Sequence, residues 1–183
     1  MENDLFRTIF NETARLNIPA VVIGGLALPA YNVARLTLDI DICILVTSQD
    51  VLNQFINALK ENDISTLQNP KIDQDLFTVF GKHSEAEIWL KPCDAFSWDD
   101  KMVKRIQVYI VNVHVLAIED FILTKLARRD RSSTDIDDII QLLIANKDNI
   151  DREYMHYRLR WMDLLSDFNE ILKKSKIDFG NFN

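Results

Sequence analysis

The chain has 183 residues, 48% of them hydrophobic and 27% charged, with four glycines and four prolines. That is the make-up of one globular domain, or of a catalytic domain with a helical appendage, and it excludes a fibrous or disordered chain. A net charge of −7 excludes a general nucleic-acid coat, which needs clustered Lys and Arg to neutralise phosphate.

A local grip on one nucleic-acid end remains open through Arg128, Arg129 and Arg131, or through Lys101, Lys104 and Arg105, although such clusters are more often solvated surface. The first sixteen residues are charged throughout and lack the apolar run of a leader. The longest apolar stretch, 18–34, is broken by two prolines, a glycine pair and Asn32, so no membrane contact is expected. Cys43 and Cys93 lie in apolar or strand-like surroundings, as buried thiols of a cytoplasmic protein do.

In chain order, Asn3 or Asp4 is placed to cap a helix whose apolar stripe is Leu5, Phe6, Ile9, Phe10 and Leu16. The short β-rich run 20–23 stops at Gly24-Gly25. A helix is expected over 26–33, with Pro29 tolerated if it falls in the first turn. The run 39–47 alternates. It predicts a strand with Asp39, Asp41, Cys43 and Leu45 on one face and Ile40, Ile42, Ile44 and Val46 on the other. Ser48 then caps a helix carrying Val51, Leu52, Phe55, Ile56 and Leu59. Residues 76–80 and 86–91 read as strands joined by a turn at Gly81, and 106–116 as one or two more.

From Ile118 the period becomes helical, with Glu119 and Asp120 at the positive end of a helix dipole. Ser132, Ser133 or Thr134 caps the next helix, whose first turn holds Asp135, Asp137 and Asp138. One or two more helices fill 152–174, and the tail 177–183 is expected to fray. The fold class is α+β: a mixed β-sheet with flanking helices over 1–116, and a helical C-terminal region over 117–183 packed on it.

Asp39 and Asp41 are the candidate chemistry. Two carboxylates two apart on a strand point the same way, roughly 6.6 Å apart. Backed by four aliphatic side chains, they repel at a cost unless a cation offsets them. Mg²⁺ suits carboxylate oxygen and keeps phosphate as a further ligand. The D-x-D pattern alone fits a solvated strand end at least as well. A glycine pair between strand and helix lets backbone N–H groups approach phosphate, yet it is common by itself. His83, His114 and His156 lack metal-ligand spacing, and neither cysteine has a nearby His to activate it.

Taken together, Gly24-Gly25-x-Ala27 followed by Arg35-x-Thr37-x-Asp39-x-Asp41 resembles the nucleotidyltransferase superfamily with a polymerase-beta-like palm. The R-x-T-x-D-x-D form is similar to the branch holding AbiEii-type toxin nucleotidyltransferases and uncharacterised archaeal relatives. Downstream, 86–90 is similar to the later strand that carries a third acid. Glu119-Asp120 with Lys125, and the stretch 135–139, are similar to that branch's helical motifs. The resemblance covers 20–145.

That resemblance implies a palm in which Asp39, Asp41 and Glu87 hold two divalent ions, Mg²⁺ or Mn²⁺. Glu87 stands where the family usually has Asp, and Asp94 is its rival. It also implies an NTP whose phosphates rest on Gly24 and Gly25, helped by Thr37, Arg35 and Lys125. A salt bridge to the carboxylates is the other role open to Arg35 and Lys125. The reaction is attack of an acceptor hydroxyl on the α-phosphorus with loss of pyrophosphate. The acceptor is a tRNA end, a protein or a small molecule, and a second copy or an antitoxin is the candidate protein partner. The alternative, kept open by Glu87, is a nucleotide-binding regulatory module without turnover.

Overall fold

Ile42, Cys43 and Ile44 are all fully buried, which makes β2 (Asp41–Ile44) the central strand of the sheet. In the computed structural model, which describes residues 4–179, β2 lies between β1 (Ala20–Val22) and β5 (Glu85–Trp89). Among the described residues the sheet has seven strands in the order β3-β4-β5-β2-β1-β7-β6. The others are β3 (Ser65–Thr66), β4 (Leu76–Phe80), β6 (Gln107–Ile110) and β7 (Val113–Val115). β2 runs parallel to β5, and β1 parallel to β7, while the remaining pairs are antiparallel. The mixed α+β sheet expected from the sequence is therefore present.

The strand is shorter than its alternating pattern suggested. Its backbone bonds extend only from Ile40, whose carbonyl accepts from Glu87 N–H at 2.8 Å, to Leu45, whose N–H donates to Pro19 at 2.8 Å. β1 turns away at Gly24, so Asp39 precedes the paired region and is exposed. Cys43 is as buried as its aliphatic neighbours, so both faces of β2 are covered rather than one.

The segment after the glycine pair is a 3-10 helix, Gly24–Tyr31, with Pro29 inside it rather than an α-helix over 26–33. Asn32 ends it in the left-handed conformation, donating its N–H to the carbonyls of Leu28 and Pro29. Its end is pinned from two sides. Tyr31 donates its hydroxyl to the Leu116 carbonyl at 2.5 Å, and the Asn146 amide donates to the Tyr31 carbonyl at 2.7 Å.

Among the described residues seven α-helices surround the sheet: α1 (Asp4–Arg15), α2 (Gln49–Lys60), α3 (Asp100–Lys104), α4 (Ile118–Leu126), α5 (Ser133–Asn146), α6 (Arg152–Trp161) and α7 (Leu165–Ser175). None of the described helices is long and apolar enough to cross a membrane. Asp4 is the first helical residue of α1, and Asn3 lies outside the described residues. Ser48 caps α2 by accepting from Val51 N–H, as expected. Ser132 caps α5 in a capping box with Asp135. The tail does not fray through 179: Phe179 is buried edge-to-face against Phe168, and 180–183 lie outside the described residues. Residues 106–116 form the hairpin β6–β7, whose outer strand β6 is exposed along its length.

Glu119 and Asp120 do more than greet a helix dipole. Both are buried and paired. Glu119 accepts from Asp151 N–H at 2.7 Å and from Arg105 at 3.3 Å. Asp120 accepts from the Tyr154 hydroxyl at 2.9 Å and lies 3.2 Å from Arg158 Nε, whose guanidinium also bonds Asp99. Arg158 is only 1% exposed, so it is the cation on which two carboxylates from outside α6 converge. Removing one partner of such a buried pair costs about 3–5 kcal/mol, because the charge left behind has no water. Arg158→Ala should therefore lose stability on that scale in urea denaturation. Exposed Arg160→Ala on the same helix should stay within about 0.5 kcal/mol of the parent.

Candidate active site

Parallel pairing of β2 with β5 sets Asp41 directly beside Glu87, with Cys43 beside Trp89 two residues on. In-register parallel neighbours point to the same face, so the two carboxylates stand on adjoining strands about 4.8 Å apart at the backbone. Asp39 lies one step outside the ladder. Its N–H donates to the Thr37 hydroxyl at 3.2 Å, and that hydroxyl reaches back to Asp39 Oδ2 at 3.4 Å. Asp39, Asp41 and Glu87 all line one groove, together with Thr78, His83 and Glu85. Asp41 and Glu87 also face a cavity of 440 Å³ bordered by Gly24, Trp89, Lys125 and Arg128.

The glycine pair is dictated by close approach. Gly24 has φ +62, and a Cβ there would sit 2.0 Å from Asp41 Oδ2. A Cβ on Gly25 would sit 2.8 Å from Thr37 Cγ2. Any larger residue at 24 would displace the carboxylate from the cavity wall, besides adopting a backbone that L-residues avoid.

Asp41 is crowded electrostatically as well. Burial pushes its carboxyl up to about 6, with Glu87 and then Asp39 adding to the rise and Lys125 opposing it. A carboxylate held above its ordinary value by burial and like charge favours whatever cation can reach it.

Lys125 and Arg35 both go to a residue outside that cluster. Lys125 Nζ lies 2.8 Å from Asp138 Oδ2, and Arg35 Nη1 2.5 Å from the same oxygen. Buried Lys125 still borders the cavity, whereas Arg35 lies in a separate depression with Pro29, Asn32 and Leu36. Asp94 borders the cavity too. Burial pushes its carboxyl up, but the Cys93 thiol, the Arg129 backbone N–H and the charges of Arg129 and Arg128 outweigh this and hold it below the usual range. The Cys93 thiol donates to it at 3.1 Å, and both cysteines are free and buried.

Sequence reasoning did not single out Asp138 for the site; it placed Arg128 in a candidate basic patch and noted Trp89, beside Glu87, as able to line a nucleotide site, though more in keeping with a core residue. A usable signal existed for Asp138. With Asp135 and Leu142 it follows the 3–4 spacing of a buried stripe, and an acid on such a stripe needs a buried cation. For Trp89 the local signal is its place two residues after Glu87 on one strand; that Arg128 shares the same cavity is decided only by folding, which brings β5 and the end of α4 together.

Hard-oxygen donors with excess negative charge are chemically suited to Mg²⁺ or Mn²⁺. Among the described residues no three His, Cys, Asp or Glu side chains already stand as a metal-ligand group. Asp41 and Glu87 are adjacent in the sheet, and Asp39 lies farther out on its loop.

A family model described as a nucleotidyltransferase of unknown function (DUF6036) matches residues 3–179. The chain is similar in fold to the solution structure of the antibiotic-resistance factor ANT(2'')-Ia. The TM-score is 0.55, at 14% identity over 91% of this chain and 96% of that one. It is also similar to a crystal structure of ANT(2'')-Ia in complex with adenylyl-2''-tobramycin. There the TM-score is 0.52, at 14% identity over 87% of this chain and 95% of that one. At such identity the likeness speaks for the fold alone. No protein of curated function matches the chain.

The raised Asp41 carboxyl carries a stability consequence with a definite sign. The folded state holds this proton to about pH 6 and the unfolded chain only to about 3.8, so Asp41 favours folding in acid and loses that contribution as pH rises through this window. In metal-free buffer above pH 6, Asp41→Asn should be more stable than the parent. The gain should be at most about 3 kcal/mol, less after solvent screening of a group that is not fully buried. The gap should close below about pH 4, where both side chains are neutral. Thermal melts across pH 4–8 with a chelator would read it, and a pH-independent gap would refute the assignment.

Proposed function

We infer that this chain, which belongs to the family of nucleotidyltransferases of unknown function (DUF6036), moves a nucleoside monophosphate from an NTP to an acceptor hydroxyl and releases pyrophosphate. The observation that carries the reading is the pairing of Asp41 with Glu87 against Gly24, in a cavity that Lys125 and Arg128 also line. Carboxylates and cations lining one cavity suit the two needs of the reaction: carboxylates for the centre at the α-phosphorus, cations for the charge of the departing phosphates.

Asp39, Asp41 and Glu87 are the donors for Mg²⁺ or Mn²⁺, two ions in this reading. Such ions, when bound, neutralise triphosphate charge and acidify the acceptor hydroxyl. Asp41 is held on the cavity wall by its fit against Gly24. Exposed Glu87 is free to take the proton from the acceptor hydroxyl as its oxygen bonds the α-phosphorus and the bond from that phosphorus to the bridging oxygen breaks. The Gly24-Gly25 turn offers backbone N–H groups to the phosphates, and Thr37 a hydroxyl. Lys125, held by Asp138, supplies positive charge at the cavity. Arg35 acts on the same carboxylate from behind. In this scheme 1–116 is the catalytic unit and 117–183 the helical unit that supplies the cationic wall.

A small, positively charged molecule is the acceptor we favour. The cavity is 440 Å³, the chain carries a net charge of −7, and the structurally similar ANT(2'')-Ia was crystallised with adenylyl-2''-tobramycin. An acidic protein attracts a polycationic acceptor and repels a tRNA backbone. The two free thiols are in keeping with a reducing, cytoplasmic setting.

The test is incubation with each of four α-labelled NTPs, Mg²⁺ or Mn²⁺, and three separate pools: amino sugars and aminoglycosides, total tRNA, and soluble protein. Label should enter the amino-sugar pool with stoichiometric pyrophosphate. Asp41→Asn should cut this by at least about a hundredfold and Glu87→Gln comparably, while Glu87→Asp retains measurable turnover. Label in tRNA or protein instead would replace the acceptor. No pyrophosphate from any pool would end the reading.

A further inference from the structure

β5 ends on Trp89, two residues after Glu87, so its indole stands on the same face of the sheet and borders the same cavity. Its Nε1 is buried and has no hydrogen-bond partner. Trp98 gives the contrast, donating its own indole N–H to the Ile44 carbonyl at 3.2 Å. A buried donor left without an acceptor costs on the order of 1–3 kcal/mol, and folded chains rarely tolerate one without a reason. Among the described residues with such an orphan nitrogen, Trp89 is the one that borders the cavity.

The surroundings say what kind of acceptor belongs there. Trp89 stands near Asp41 and helps to favour its charged form, yet its Nε1 makes no hydrogen bond of ordinary geometry to that carboxylate or to any other described group. The donor therefore remains available at the side of the carboxylate wall. Arg128 borders the same cavity, and its ion pairs among the described residues are long, 3.4 Å to Asp130 and 3.7 Å to Asp135, which leaves guanidinium donors for another anion. A neutral donor and a loosely held cation bordering one cavity suit an oxyanion bound there.

We propose that Trp89 is a substrate-binding residue whose indole N–H donates to a phosphate oxygen of the bound nucleoside triphosphate. The proposal rests on the nucleotidyl-transfer reading above and adds to it a contact that ignores the base. A phosphate contact affects all four nucleotides alike, whereas an edge contact to a base does not.

Calorimetric binding of ATP, GTP, CTP and UTP in Mg²⁺ buffer separates the possibilities. Trp89→Phe keeps an aromatic wall and removes the donor, and it should weaken each nucleotide by about tenfold. Equal affinities in parent and variant would overturn the inference and leave nucleotidyl transfer standing. A loss confined to one base would also overturn it. If the parent binds none of the four, this inference and the transfer reading fall together. A second measurement needs no variant to fold: in ¹⁵N-labelled parent protein, ATP should move the Trp89 indole proton downfield and leave that of Trp98 in place. A Trp89 resonance unmoved at saturating ATP would overturn the contact.

Discussion

The carboxylate of Asp41, packed against the bare Cα of Gly24, is the constraint from which the rest of the site follows. A side chain at 24 would overlap Asp41 Oδ2, so β1 has to end in glycine at that level. Because β1 ends there, the chain leaves the sheet through a 3-10 helix, and β2 begins beside the turn rather than several residues earlier. Register with β5 then puts Glu87 next to Asp41 without any further adjustment. Two like charges at a half-buried position work against folding. The sheet tolerates them because Ile42, Cys43 and Ile44 anchor the same strand in the core. Stability is given up at one residue to keep a charged site in place, a common trade at active sites.

A second layer of charge holds the walls. Asp138 on α5 gathers Lys125 from α4 and Arg35 from the loop before the D-x-D pair, so a single buried carboxylate ties three segments together. Deeper in the helical region, Arg158 binds Asp99 and Asp120, while Glu119 takes Arg105 and the start of α6. These are acids of the kind that cap helices on a surface. Here packing of the helices against one another removes their water, and each has to find a cation or an N–H group. The contact with Asp138 fixes where Lys125 stands at the edge of the cavity that Asp41 also lines.

Family membership and structural likeness act at different levels. The match over 3–179 places the chain among nucleotidyltransferases, and the likeness to ANT(2'')-Ia at 14% identity concerns the path of the backbone. What the protein does with an individual acceptor depends on side chains such as Trp89 and Arg128, which no fold likeness specifies.

Local chemistry was legible in the sequence wherever one segment sufficed. The strands at 20–22, 76–80 and 85–89, the Ser48 and Ser132 caps, the Gly24-Gly25 turn and the D-x-D pair could all be read from spacing and residue type. So could the α+β class. The partners of the charges could not. Lys125 and Arg35 meet at Asp138 rather than at the carboxylates, Asp120 at the helix start is buried against Arg158 and Tyr154, and Phe179 packs on Phe168 where a loose end was expected. Helical spacing shows that Asp138 lies on a stripe, but not that α4 and a loop a hundred residues earlier bring their cations to it. The sequence by itself determined which groups could do chemistry and which residues had to be glycine. The tertiary structure decided which charges face each other and which donor, Trp89, was left without a partner, because burial and long-range pairing are properties of packed elements and not of any one of them.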